Sequence, residues 1–123
     1  MADSLRGRAV LIVEDEFYLA DDLAAALSGA GARVLGPFGR ADDARRLIES
    51  GQVVDLAILD IGLVGDRVFP VADLLRERGA PFLFATGYGP EIIPDRFSDA
   101  PRLEKPVTAA AVIGLLEALQ RLR

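Results

Sequence analysis

The amino-acid sequence predicts an α/β fold, a parallel sheet with helices on both faces, on three grounds. Short apolar runs of strand length alternate with segments of helical period along the chain, five of each. Three of the runs are continuously apolar, as strands covered on both faces are. Parallel neighbours also need crossover connections, and a helical segment follows each run. At 123 residues there is room for one domain and not two, at a length that buries an adequate core, so residues 1–123 are read as a single domain.

Residues 9–13 (Ala-Val-Leu-Ile-Val) form the first buried-type strand. Over residues 17–27 the apolar positions Leu19, Ala20, Leu23, Ala26 and Leu27 keep helical spacing, and Gly29 and Gly31 end the helix. Residues 32–36 are a weaker second strand, and 41–50 a short helix that turns Ala44, Leu47 and Ile48 inward before Gly51 stops it. Residues 55–59 are the third strand. Pro70 suits the first turn of a helix that reaches Arg78 and stops at Gly79. Residues 81–85 are the fourth strand; Pro90 and Pro94 then allow only a short or irregular fourth helix before Pro101. Residues 102–104 make a brief edge strand, and 107–122 a closing helix with Val112, Leu115, Leu116 and Leu119 on one stripe.

Composition narrows the chemistry. Apolar residues make up 51% and charged residues 27%, which fits a folded globular chain and not a disordered one. Cys and His are both absent, so disulfides, thiolate nucleophiles, serine–histidine triads, imidazole zinc sites and phosphohistidine chemistry are all excluded. The net charge of −5 offers no excess of cations to displace counterions from nucleic acid, so direct DNA binding is not expected. No stretch approaches the apolar length that spans a bilayer, and the opening Met1-Ala-Asp-Ser4 lacks the basic-then-apolar start of a signal peptide. A cytoplasmic chain without membrane contact is expected.

In open α/β sheets, sites form beyond the carboxyl ends of the strands. After the first strand come Glu14, Asp15 and Glu16; the third ends in Asp60, the fourth in Thr86 and the fifth in Lys105-Pro106. Carboxylates, a hydroxyl and an ammonium therefore converge on one sheet edge. Clustered carboxylates raise one another's pKa unless a cation sits among them. With no His or Cys to hand, all-oxygen ligation favours a hard divalent ion, and an open site that keeps waters suits Mg²⁺. A carboxylate there can attack a phosphoryl group while Lys105 and Thr86 bind the phosphoryl oxygens, which predicts an aspartyl phosphate. Taken singly, each residue has a plainer reading. Asp15 can cap the first helix, Glu16 can answer its dipole, Asp60 can make an Asx turn, Thr86 can end a strand, and Lys105 can be solvated. The joint occurrence favours a site.

Val13-Glu14-Asp15-Glu16, Leu59-Asp60, Ala85-Thr86-Gly87 and Glu104-Lys105-Pro106, in this order and spacing, resemble the receiver domain of two-component response regulators over essentially the whole chain. The resemblance implies a flavodoxin-like, doubly wound (βα)5 fold with a five-stranded parallel sheet in the order 2-1-3-4-5. It implies that Asp60 is the phosphoacceptor, charged by a histidine kinase or a His-containing phosphotransfer protein. Mg²⁺ is then held by the Asp15 and Asp60 carboxylates and the Gly62 carbonyl, with Glu14 completing the pocket through a metal-bound water. Thr86 and Lys105 contact the phosphoryl group, and the Lys105–Pro106 bond is cis. Output passes to an unidentified protein through the face of the last two helices and the fifth strand. The chain starts at Met1 and ends in a helix, so a stand-alone receiver is expected, one that assists only its own modification and is not an enzyme with turnover. Phe84-Ala-Thr-Gly-Tyr88 is also similar to the Phe-Ala-Thr-Gly-hydrophobic-Tyr motif of a subgroup of alphaproteobacterial single-domain receivers, although Gly89 leaves that motif incomplete.

Three departures from the family's pattern stand out. The loop after Asp60 reads Ile61-Gly-Leu-Val-Gly-Asp66 in place of the usual Met-Pro and Asp-Gly. Arg102 occupies the position, three before Lys105, of the aromatic that swings inward on activation. Gly62 and Tyr88 lie two residues beyond Asp60 and Thr86, where side chains screen the hydrolytic water; either Tyr88 substitutes for the missing aromatic or output passes through Arg102 and its charge. Other readings fit less well. A haloacid-dehalogenase-type phosphatase needs an Asp-x-Asp nucleophile after the first strand, where Glu14-Asp15-Glu16 stands. An FMN binder needs a phosphate loop there, which three carboxylates repel. A receiver-fold interaction module that is never phosphorylated remains the alternative.

Overall fold

The apolar runs become strands and the periodic segments helices. The computed structural model describes residues 4–62 and 68–122. They form β1 (Ala9–Val13), α1 (Phe17–Gly29), β2 (Arg33–Phe38), α2 (Ala41–Glu49), β3 (Leu56–Asp60), α3 (Phe69–Glu77), β4 (Phe82–Thr86), β5 (Arg102–Glu104) and α4 (Ala109–Arg121). The strands make one parallel sheet in the order β2-β1-β3-β4-β5. This is the doubly wound, flavodoxin-like α/β architecture with the 2-1-3-4-5 order.

Each residue of β1, β3 and β4 is buried, which is why these runs are apolar without alternation. Successive side chains still point to opposite faces and so build two cores. Leu11, Val13, Ala57, Leu59, Phe82 and Phe84 meet Ala44 and Ile48 of α2 and Val71 and Leu75 of α3. On the other face Val10, Ile12, Leu56, Ile58 and Leu83 meet Leu23 and Leu27 of α1 and Val112 and Leu116 of α4. Helix α1 ends in a Schellman motif: Ala32 N–H reaches the Leu27 carbonyl at 3.0 Å and Gly31 N–H that of Ser28 at 3.0 Å, with Gly31 at φ +87°.

Two elements differ from the sequence reading. The fourth helix is replaced by two 3-10 turns, Pro90–Ile92 and Asp95–Phe97, so four α-helices are found among the described residues. Pro90 and Pro94 lack an N–H and bias the residue before each away from helix, which leaves room for single short turns only. Strand β2 runs on to Phe38 and passes through Gly36 and Pro37. Proline is tolerated there because β2 is an edge strand. Gly36 sits at φ +97°, where a Cβ would come within 2.7 Å of Phe38 N and 2.9 Å of the Ile12 carbonyl oxygen. The kink shifts the register, so that Leu11 pairs with Leu35 but Val13 with Phe38. Of the loop after Asp60, residues 63–66 lie outside the described residues.

Phe84 carries much of one core: its ring meets Phe69, Phe82 and Phe97 edge-on at centroid distances of 5.9, 5.4 and 5.7 Å. Phe84→Ala is expected to lower the free energy of unfolding by about 3–5 kcal/mol, read from urea denaturation.

Candidate functional site

The carboxyl ends of β1 and β3 each deliver a buried carboxylate. At the end of β1, the Glu14 N–H donates to the Phe38 carbonyl at 2.8 Å, so the kinked end of β2 fixes the backbone from which Glu14 projects. Its carboxylate, 2% exposed, accepts through Oε2 from the Glu16 N–H at 3.0 Å and from Lys105 Nζ at 3.0 Å. Asp60 closes β3 and is 3% exposed. Its Oδ1 accepts from the Gly62 N–H at 3.0 Å, and its Oδ2 lies 3.4 Å from Lys105 Nζ. Asp15 is exposed, yet it brings a carboxylate oxygen within 4.8 Å of those of Glu14 and Asp60.

Lys105 is placed from the far side. Its N–H donates to the Thr86 carbonyl at 2.8 Å, continuing the β4–β5 pairing, and the Lys105–Pro106 bond is cis. Nζ then lies between Glu14 and Asp60, with Glu16 Oε2 at 3.8 Å. Thr86 is fully buried, and its Oγ1 accepts from the Tyr88 N–H at 2.9 Å. Glu14, Asp15, Asp60, Thr86 and Lys105 thus gather at one sheet edge.

The electrostatics follow from this crowding. Burial pushes the Glu14 carboxyl up to about 7, with the Asp60 charge adding to the rise, while the Glu16 N–H and Lys105 pull against it. Burial draws the Lys105 ammonium down, but its hydrogen bond to Glu14 and the negative charges of Asp60 and Glu14 outweigh that and hold it above the usual lysine range. Three carboxylates share this one ammonium. Glu14 Oε1 is buried and has no hydrogen-bond partner among the described residues. A buried orphan acceptor in an all-oxygen, net-negative cluster is what a hard dication and its waters would satisfy, so the residues fit Mg²⁺.

The plainer readings are partly realised. Glu16, not Asp15, stands at the cap of α1, and its side chain makes no cap hydrogen bond. The Asx turn at Asp60 does form, through the Gly62 N–H, and Thr86 makes the equivalent turn with Tyr88. Lys105 is not solvated: its side chain is 19% exposed. Sequence reasoning missed two supports. The Phe38 carbonyl reaches Glu14 only because of the Gly36–Pro37 kink, and the Gly-Pro pair at the strand's end is the one signal that marks it. The Tyr88 ring approaches Gly62 so closely that a Cβ there would lie 3.3 Å from Tyr88 Cε2. Arg102 is half-buried, with Nη1 3.7 Å from Glu104 Oε1.

No family model matches the chain. It is 28% identical over 120 residues, 97% of its own length, to the transcriptional regulatory protein PdtaR of Mycobacterium tuberculosis, and it spans 58% of that protein. The crystal structure of a response regulator receiver protein from Sinorhizobium medicae WSM419 superposes with a TM-score of 0.80 at 26% identity, covering 95% of this chain and 97% of that one. The solution structure of SdrG from Sphingomonas melonis Fr1 gives 0.77 at 34% identity, covering 96% and 98%. No helix among the described residues is long and apolar enough to cross a membrane.

A carboxyl whose folded-state pKa is raised contributes its stability below the ordinary carboxylate value and loses it as pH rises through about 7. Without divalent cations the folded chain should therefore lose stability between about pH 4.5 and 7, and Glu14→Gln should remove that slope. At pH 7.5 in EDTA the variant is expected to be the more stable by about 2 kcal/mol, with the gap gone at pH 5, read from urea midpoints.

Proposed function

We propose that Asp60 of this chain, which belongs to the response regulator receiver (CheY-like) family and thus to two-component signal transduction, accepts a phosphoryl group from a histidine kinase or a His-containing phosphotransfer protein. The observation that carries this reading is the lysine bridge. Lys105 Nζ lies 3.0 Å from Glu14 and 3.4 Å from Asp60, with Asp15 beside them at the open edge.

In the proposed reaction an Asp60 carboxylate oxygen forms the new O–P bond as the donor's N–P bond breaks, and the departing imidazole nitrogen takes up a proton. The Gly62 N–H holds the carboxylate in place during attack. Lys105, already facing Asp60, turns its ammonium to a phosphoryl oxygen, and Thr86 donates its hydroxyl to another. The Asp15 and Asp60 carboxylates and the Gly62 carbonyl would hold Mg²⁺, with Glu14 acting through a bound water. When bound, the ion offsets repulsion between the attacking carboxylate and the phosphoryl group. On this reading the chain assists only its own modification and hydrolysis, and it signals by protein contact rather than on DNA. Its output surface is the face of the two 3-10 turns, β5 and α4.

Intact-protein mass spectrometry after incubation with acetyl phosphate tests the reading. One added phosphoryl group is expected, requiring Mg²⁺ and lost in Asp60→Ala. An adduct that persists in Asp60→Ala would contradict the assignment. If neither an adduct nor binding of beryllofluoride, a stable phosphoryl mimic, is seen, the chain is an interaction module that is never phosphorylated.

A further inference from the structure

The segment that replaces the fourth helix is fastened to α3 in an unusual way. Within the two 3-10 turns Phe97 is the one buried residue, Ile93 between them packs half-buried on the same core, and 3-10 turns are weakly hydrogen-bonded. Polar contacts with α3 supply much of the remaining hold. Arg96 Nε and Nη2 make a two-pronged contact with Asp73 Oδ1 and Oδ2 at 3.0 and 3.1 Å. In the opposite sense, Arg76 of α3 donates to the Arg96 carbonyl at 2.6 Å and to Asp99 Oδ1 at 3.1 Å. Both guanidinium groups lie over the Phe97 ring, Arg96 at 4.6 Å and Arg76 at 5.2 Å from its centroid. Two crossed Arg–Asp pairs thus clamp the second turn against α3 around one aromatic anchor.

Three features distinguish a catch from permanent glue. All four side chains are substantially exposed, 42% for Arg76 and 74% for Asp99, 54% for Arg96 and 44% for Asp73, so the pairs are weak and screened by salt. With one buried and one half-buried apolar anchor, Phe97 and Ile93, the clamped segment belongs to the part of a fold that opens most readily. It is also tied to the site. Thr86, whose Oγ1 holds the Tyr88 N–H, follows Ala85, the register partner of Asp60. Tyr88 leads into the first turn, and Arg102, in the usual switch-aromatic position, has no ring to swing inward.

We propose that the crossed Arg96–Asp73 and Arg76–Asp99 pairs are an autoinhibitory catch that holds residues 88–98 on α3 and is released when Asp60 is charged. This rests on the phosphoacceptor reading of Asp60. If the resting state is the clamped one, part of the binding energy of a phosphoryl mimic goes into release, and breaking the clamp in advance tightens mimic binding.

The test compares wild type with Asp73→Asn/Asp99→Asn, both on the surface and away from Asp60. Hydrogen exchange of residues 88–98 should quicken about tenfold in the variant, and in wild type at 1 M NaCl, with β1, β3 and β4 unchanged. Beryllofluoride with Mg²⁺, followed by fluorine NMR, should bind the variant about threefold to tenfold more tightly. Faster exchange with unchanged affinity would make the clamp mere glue and overturn the proposal, as would unchanged exchange. No beryllofluoride binding to wild type would remove the phosphoacceptor reading, and the catch with it.

Discussion

Two carboxylates, Glu14 and Asp60, are buried at the end of a sheet whose three central strands are wholly buried, and Lys105 is the cation that makes this tolerable. A buried unpaired carboxylate is costly, and removing one partner of a buried pair costs more than the pair itself contributes. The topology is what supplies the partner. Glu14 and Lys105 are 91 residues apart in sequence, and only the 2-1-3-4-5 order sets the end of β5 opposite the end of β1 across two intervening strands. The compensation is incomplete, since Glu14 Oε1 has no hydrogen-bond partner among the described residues and Asp15 adds a further charge. That residual negative charge is the site's chemical capacity. On the proposed reading it would hold a hard cation and, through that cation, an anionic group.

Much of this was legible in the sequence because burial leaves a direct mark on composition. Residues 9–13, 56–59 and 82–85 are apolar since both sheet faces are covered, and the polar residue after each run must then lie on the carboxyl edge. The difference between Glu14 and Asp15 was not legible. Adjacent acids look alike in sequence, yet one is sealed behind the Phe38 carbonyl and Lys105 while the other faces outward. The extension of β2 through Gly36 and Pro37 was hidden because proline argues against a strand unless the strand is known to be an edge. The close approach of the Tyr88 ring to Gly62 brings two loops together, and no local pattern encodes it.

The side carrying β5 and the two 3-10 turns departs furthest from the family pattern and was the hardest to read. Two prolines break the fourth helix into short turns, and an arginine stands where an aromatic switch is usual. What takes their place is ionic. Arg76, Asp73, Arg96 and Asp99 fasten the turns to α3, and Phe97 plugs them into the aromatic cluster with Phe69, Phe82 and Phe84. Charged side chains at ordinary spacing carry no signature of such a clamp, because their partners lie more than twenty residues away.

The proposed chemistry requires the cluster of Glu14, Asp15 and Asp60 to be a cation site whose charge Lys105 only partly balances. Thermal unfolding across a Mg²⁺ titration, at ionic strength held constant with NaCl, measures this most directly. A saturable rise in Tm is predicted for wild type, with the rise lost in Asp15→Asn, since a ligand that binds only the folded state stabilises it by mass action. A Tm indifferent to Mg²⁺, or one that rises equally in Asp15→Asn, would contradict it.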